Sequence, residues 1–102
     1  MVSVGGEIDL STALAFEAAI AGALDEHPPV LVIELSAVNF MASAGLRILA
    51  ATHEKLSKPG QLAVVASNPA VSRAIQLSGL DQLFSLYPTL NDALIAERTT
   101  AE

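Results

Sequence analysis

The 102-residue chain is 52% hydrophobic, contains no cysteine and carries a formal net charge of -6. This length suits one domain over residues 1–102 that folds without disulfides or metals, and no apolar run approaches the roughly 20 residues that span a bilayer. With no signal-peptide pattern either, we expect a cytoplasmic protein. Its 5 basic residues, the first of them Arg47, are too few and too scattered for a nucleic-acid surface, and the acidic first half favours a protein partner with a basic surface.

Hydrophobic periodicity and turn residues divide the chain into four strand–helix pairs. Apolar runs rich in β-branched residues indicate strands, and apolar side chains at helical spacing indicate helices. We predict, in chain order, a strand stub at 2–4, a helix at 12–26, a strand at 30–35, a helix at 44–57, a strand at 61–66, a helix at 70–78, a strand at 83–87 and a helix to about residue 97. This alternation predicts an α/β domain with a predominantly parallel or mixed four-stranded sheet, the strand at 30–35 in its centre, and a disordered tail at 98–102.

Residues that favour helix termini set the predicted boundaries of these helices. Asn68 followed by Pro69 is a strong start signal for the third helix, because asparagine caps well and proline suits the first helical position. The other signals are Ser11 or Thr12 and Thr89 or Asn91 as caps of the first and last helices, and Pro28-Pro29, Pro59-Gly60 and Gly79 as stops.

Ser43 lies where the second strand turns into the second helix. The first turn of a helix has unpaired N–H groups and a partial positive charge, so a phosphate on this hydroxyl would be tolerated. The commoner role of such a serine is that of an N-cap, whose oxygen accepts a backbone N–H. The sequence leaves both roles open.

Two large apolar residues, Phe40 and Met41, come just before this turn. We predict that both belong to the core. The alternative is an exposed anchor in a partner interface, where aromatic and methionine side chains are enriched.

The sequence contains no motif that predicts an enzyme. The Gly-rich nucleotide fingerprint and the phosphate-loop pattern are both absent, and Ser43 lacks the glycine elbow of a serine hydrolase. His27 fits a helix end, where its imidazole can interact with the last carbonyls. His53 fits a packed helix face, and neither histidine has a metal-ligand spacing. Glu7 and Asp9 could act as acid and base, but a solvated turn explains them more simply. We predict a non-enzymatic protein without cofactor or metal.

Three separated segments share their order and spacing with one known family. They are Gly6-Glu7-Ile8-Asp9, the stretch Phe40-Met41-Ala42-Ser43-Ala44-Gly45-Leu46, and Asn68-Pro69-Ala70-Val71 with Leu77-Ser78-Gly79-Leu80. These segments resemble the Gly-Glu-hydrophobic-Asp turn, the phosphorylation loop and the third helix of the STAS-domain anti-sigma factor antagonists. Members of this family are small bacterial regulators that bind an anti-sigma factor kinase. The resemblance covers nearly the whole chain.

The resemblance implies that Ser43 is a phosphoacceptor and that its hydroxyl form binds an anti-sigma factor serine kinase, which releases a sigma factor. It also implies that Asp9 lies near the same surface. The residues implied in partner contact are Asp9, Ser11, Ala42, Ser43, Ala44, Gly45, Leu46 and Arg47. Small side chains beside Ser43 would let a kinase approach, and they equally suit a tight turn under strand packing. We expect no nucleic-acid contact, no membrane insertion, and a monomer or weak homodimer.

Two features of the sequence depart from the family pattern. Ala42 stands where the family usually has an acidic residue before the acceptor serine, which predicts inefficient phosphorylation and a weak or constitutive binder. The family's first strand is largely missing before Val2, which predicts an open sheet edge that could pair with another chain. The alternative function is a non-phosphorylated STAS regulatory subunit of a membrane lipid transporter or a stress-signalling complex.

Overall fold

The computed structural model describes residues 1–56 and 61–101, with the backbone alone for residues 97–101. Its elements are β1 (Val2–Ile8), α1 (Ala13–Leu24), β2 (Val30–Met41), α2 (Ser43–Lys55), β3 (Gln61–Val65), α3 (Pro69–Leu77), a 3₁₀ helix (Leu80–Gln82), β4 (Ser85–Tyr87) and α4 (Leu90–Ala101). The strands lie in the order β1-β2-β3-β4, and each neighbouring pair is parallel. The predicted α/β fold and the order of its elements are confirmed.

Helices cover both faces of the sheet. The main core forms on one face, where α1, α2 and α3 contribute Phe16, Ile20, Ile48, Leu49, Val71 and Ile75. On the other face, Ala93 of α4 packs with Val32, Ala63 and Val65. Because successive strand residues point to opposite faces, β2 supplies Leu31 to the main core and Val32 to the second one. The strand predicted to lie in the centre is therefore covered on both faces.

Strands β1 and β2 are longer than the sequence predicted. The predicted stub at 2–4 is wrong, because β1 continues through Gly5 and Gly6 to Ile8 while paired with β2. Gly6 has a φ of 81°, which glycine adopts without strain, and the strand register shifts beside it. Strand β2 extends to Met41 and pairs with β1 along this length. These backbone hydrogen bonds extend β1 through residues whose own strand propensity is low.

The helix ends correct two predictions and decide between the two caps proposed for the last helix. At α1, His27 adopts a left-handed φ of 50° before Pro28, and its backbone N–H bonds to Leu24 O at 2.9 Å, so its backbone rather than its imidazole closes the helix. At α4, the cap is Thr89, whose Oγ1 accepts the Asp92 N–H at 3.0 Å. This helix continues to Ala101 rather than ending near residue 97, since no proline or glycine follows Pro88.

The turn predicted at Pro59-Gly60 lies outside the described residues. Over the ranges that the structure does describe, no helix has both the length and the apolar character needed to cross a membrane.

Candidate functional site

The parallel pairing of β1 and β2 brings the residues that follow these strands to the same edge of the sheet. Ile8 and Met41 are register partners at the ends of the two strands. Just beyond them, the Ala42 N–H donates to Ile8 O at 2.8 Å. Asp9 and Ser43, which follow within two residues of these partners, are therefore neighbours on one surface.

Asp9 organises the turn between β1 and α1. Its Oδ1 accepts hydrogen bonds from Ser11 Oγ at 2.6 Å, from the Ser11 N–H at 2.9 Å and from the Thr12 N–H at 3.2 Å. In return, Thr12 Oγ1 accepts the Asp9 N–H at 2.9 Å. The Ser11 hydroxyl is the main cause that holds the pKa of Asp9 below its ordinary value. Asp9 is thus a fixed carboxylate, and its Oδ2 has no bond within the described chain.

Ser43 is the first residue of α2, and its side chain is exposed. The interpretation of Ser43 as an N-cap is wrong, because Ala42 occupies the N-cap position and no side chain caps this helix. Among the described residues the Ser43 hydroxyl has no hydrogen-bond partner. A free hydroxyl therefore stands at the positive end of α2.

The backbone at the start of α2 also keeps donors available. The Gly45 and Leu46 N–H groups donate to Ala42 O at 3.0 and 3.3 Å. Within the part of the chain that the structure describes, the Ser43 and Ala44 N–H groups have no such acceptor. These two N–H groups lack a partner in the described chain because no side chain caps the helix. Together with the Ser43 hydroxyl they form one polar surface.

Gly45 sets how closely α2 approaches the sheet. It is buried, and a Cβ added there would lie 2.8 Å from Ile8 Cγ2 and 2.9 Å from Met41 Cγ. The small residues beside Ser43 were predicted either to let a kinase approach or to suit a tight turn under strand packing. Gly45 fits the second explanation. It shapes the surface from below, and Leu46 likewise packs against the main core, whereas Arg47 is exposed.

Three exposed apolar side chains lie at this edge of the sheet. Leu10 is 85% exposed, Leu14 is 79% exposed and Phe40 is 50% exposed. Met41 is buried as predicted, but the core prediction for Phe40 is wrong. Phe40 pairs with Glu7, one position before the buried pair at the strand ends, so it points to the opposite face.

Sequence reasoning missed the exposure of Leu10 and Leu14. For Leu14 a signal was available, because α1 has apolar residues on all sides instead of one stripe. Such a helix is normally buried all round. Because α1 contacts the core with one side only, its apolar residues on the other sides were to be expected at the surface.

Neither histidine lies beside Ser43. His53 is ten residues further along α2, about 15 Å away at 1.5 Å per residue. His27 precedes β2, at the opposite end of that strand from Ser43. The described residues therefore contain no nucleophile–base pair at Ser43, and no cluster of three metal-ligating side chains is found among them.

Comparisons with known proteins agree on one family. The sequence model of the STAS domain family matches residues 1–93. Over 98 residues the chain is 50% identical to the anti-sigma-F factor antagonist RsfB of Mycobacterium tuberculosis, covering 96% of this chain and 80% of that protein.

Solved structures show the same likeness. The crystal structure of an anti-sigma factor antagonist from Mycobacterium paratuberculosis superposes with a TM-score of 0.90 at 58% identity, covering 94% of this chain and 82% of that one. The STAS domain of a SulP transporter from Vibrio cholerae superposes with a TM-score of 0.75 at 25% identity, covering 98% of this chain and 80% of that one.

Proposed function

The chain belongs to the STAS-domain anti-sigma factor antagonists, and from this membership we propose that it binds an anti-sigma factor serine kinase through the surface around Ser43. Occupying the anti-sigma factor frees the sigma factor that it holds. Phosphorylation of Ser43 ends the interaction. The protein acts as a binding regulator in this scheme, and the partner supplies the ATP and the phosphoryl-transfer chemistry.

The observation that carries this proposal is the free, exposed hydroxyl of Ser43 beside the fixed carboxylate of Asp9. A kinase needs an acceptor that reaches into its active site, and no competing bond of a described residue holds this hydroxyl back. The Asp9 carboxylate offers its free Oδ2 to a basic side chain of the partner. The exposed Leu10, Leu14 and Phe40 add apolar contact around these polar groups.

The magnitudes favour release after phosphorylation. A phosphate adds about -1.5 to -2 charges. Its interaction with the start of α2 stabilises the free protein by at most about 2 kcal/mol. Enclosing that charge unpaired in a contact surface costs about 3 to 5 kcal/mol, and the nearby Asp9 carboxylate repels it further. The cost of enclosing the charge and the repulsion by Asp9 together exceed the favourable interaction with α2, so phosphorylation lowers the affinity of the protein for the kinase.

Ala42 modifies this scheme. It provides no carboxylate next to Ser43, so the kinase has one acidic contact fewer than the family pattern supplies. We therefore expect slow phosphorylation combined with firm binding of the unmodified form.

The test uses purified anti-sigma factor kinase from the source organism of the chain, with ATP. Mass spectrometry should find one phosphate on Ser43 and none in Ser43→Ala. In a pull-down, the wild type and Ser43→Ala should retain the kinase, and Ser43→Asp should not. Ser67→Ala, which changes an exposed serine after β3, is the matched control and should behave as wild type. A wild-type protein that captures no anti-sigma factor would refute the proposal.

The second candidate is a non-phosphorylated regulatory subunit of a transporter or a stress-signalling complex. The likeness to the STAS domain of a SulP transporter supports it, at 25% identity against 58% for the solved antagonist. The two functions differ in what the wild type captures. Retention of a transporter instead of an anti-sigma factor, unaffected by Ser43→Asp, would favour this second function.

A further inference from the structure

A groove between α1 and α2 leads away from the Ser43 surface. Its floor is mostly apolar, and its rim is charged. The floor is formed by Ile20, Leu24, Ile48, Ala51 and the buried Thr52, whose hydroxyl donates to Ile48 O, and the rim carries Glu17, Ala21, Asp25 and Lys55. Ser43, Arg47 and Ala51 follow at intervals of four residues along α2, so one side of that helix connects the acceptor hydroxyl to the groove.

The two rims carry opposite charges. Glu17 and Asp25 belong to α1, and Lys55 is the last residue of α2. No ion pair joins these side chains to each other or to another described residue. An acidic rim thus faces a basic one, and both are available to an incoming chain.

The rim on α1 is also apolar between its charges. Leu14 is 79% exposed, and Ala18 and Ala21 are exposed on the same side of the helix. A helix with apolar residues on all sides is normally covered on all sides. In the described chain, the side of α1 next to the groove has no covering element.

We propose that this groove receives an amphipathic helix of the anti-sigma factor that binds at Ser43. This rests on the proposed function and adds a second contact to it. A cleft between two helices accommodates a third helix, whose apolar side fills the floor. Its basic side chains face Glu17 and Asp25, and an acidic side chain faces Lys55. The opposite rims fix the direction in which the helix lies.

Ala21→Trp tests the groove, with Ala19→Trp as its matched control. Both alanines are exposed on α1, but only Ala21 lines the groove. Calorimetric titration with the anti-sigma factor should show at least a tenfold loss of affinity for Ala21→Trp and less than a twofold change for Ala19→Trp. Thermal unfolding verifies that both variants are folded.

A charge test distinguishes the proposed helix from other occupants. Glu17→Lys should weaken anti-sigma factor binding about fivefold or more, while Glu26→Lys, an equal charge change away from the groove, should have less than half that effect at the same ionic strength. Wild-type affinity in Ala21→Trp would overturn the groove contact and leave the proposed function intact. Failure of the wild type to bind would instead refute the proposed function itself. Loss of a homodimer in Ala21→Trp with unchanged anti-sigma factor binding would assign the groove to a second copy of this chain.

Discussion

Two strand-to-helix turns leave the same edge of the sheet and end differently. After β3, the Asn68 side chain accepts the Ala70 N–H at 2.8 Å, and Pro69 has no N–H to satisfy. After β2, Ala42 has no side-chain acceptor, and the Ser43 and Ala44 N–H groups have no acceptor among the residues that the structure describes. The first turn is built for stability. The second lacks a cap at the position where the proposed function requires an accessible hydroxyl.

The two turns also differ in how closely their helices approach the strands. The third helical residue is the buried Val71 in α3 and the buried Gly45 in α2. A side chain at the third position therefore fills space under α3, whereas under α2 that space is already taken by Ile8 and Met41. The close approach holds Ser43 directly above the ends of β1 and β2.

Gly45→Leu should have the largest effect, because it breaks this close approach. The new side chain would overlap atoms that already lie within 3 Å of its Cβ. We expect a loss of about 1–3 kcal/mol in the free energy of unfolding, measured by urea denaturation. Gly22→Ala in α1 is the control, since nothing lies within 4 Å of the added Cβ, and it should gain about 0.5–1 kcal/mol. Equal stability of Gly45→Leu and the wild type would contradict the packing role.

Asn68→Ala should make the start of α3 resemble the start of α2. Losing the cap leaves the Ala70 N–H unsatisfied and should cost about 1 kcal/mol of stability in urea denaturation. Asn91→Ala is the matched control, because Thr89 and not Asn91 caps α4. It should stay within about 0.5 kcal/mol of the wild type. Similar losses in both variants would show that capping does not distinguish Asn68.

The sequence was sufficient to predict the fold, because its apolar runs and helix-end residues carry that information locally. The cap of α3 was predicted correctly for this reason, since Asn68 and Pro69 act within their own turn, although the helix begins at Pro69 and not at residue 70. The start of α2 was also placed one residue late and its cap position was not identified, because Ala42 has no capping preference and the turn is held by Ile8 on another strand. Long-range pairing of this kind leaves no local signal.

The surroundings of Ser43 show the same limit. Phe40 and Met41 are both large apolar residues, so hydrophobicity does not distinguish them. The strand pairing decides that Phe40 is exposed and Met41 is buried. The neighbourhood of Asp9 and Ser43 was available from the family resemblance. The exposure of Leu10 required knowledge of where the sheet ends.

Ala42→Asn should make the start of α2 resemble the start of α3. Ala42 has a φ of -82° and a ψ of 172°, an extended conformation that suits an N-cap. An asparagine there can accept the free Ala44 N–H, as Asn68 accepts that of Ala70. We expect a gain of about 0.5–1 kcal/mol in the free energy of unfolding, opposite in sign to Asn68→Ala. A loss of stability would mean that the missing cap is not what separates the two turns.

Ser11→Ala should have the smallest effect on stability, and it tests whether Asp9 is held in place for the Ser43 surface. The Ser11 hydroxyl favours the ionised form of Asp9, so removing it should raise the Asp9 pKa toward its ordinary value of 3.8, as followed by NMR titration of the carboxyl carbon. A lowered pKa in the folded protein contributes stability above the unfolded value, and this stability is lost as the pH falls through the folded pKa. The variant should therefore lose a little stability at neutral pH and differ less from the wild type below pH 3.8. Ser78→Ala, whose hydroxyl bonds to Ile75 O instead, should leave the Asp9 titration unchanged. An unchanged Asp9 pKa in Ser11→Ala would show that the backbone bonds of the turn fix the carboxylate without the hydroxyl.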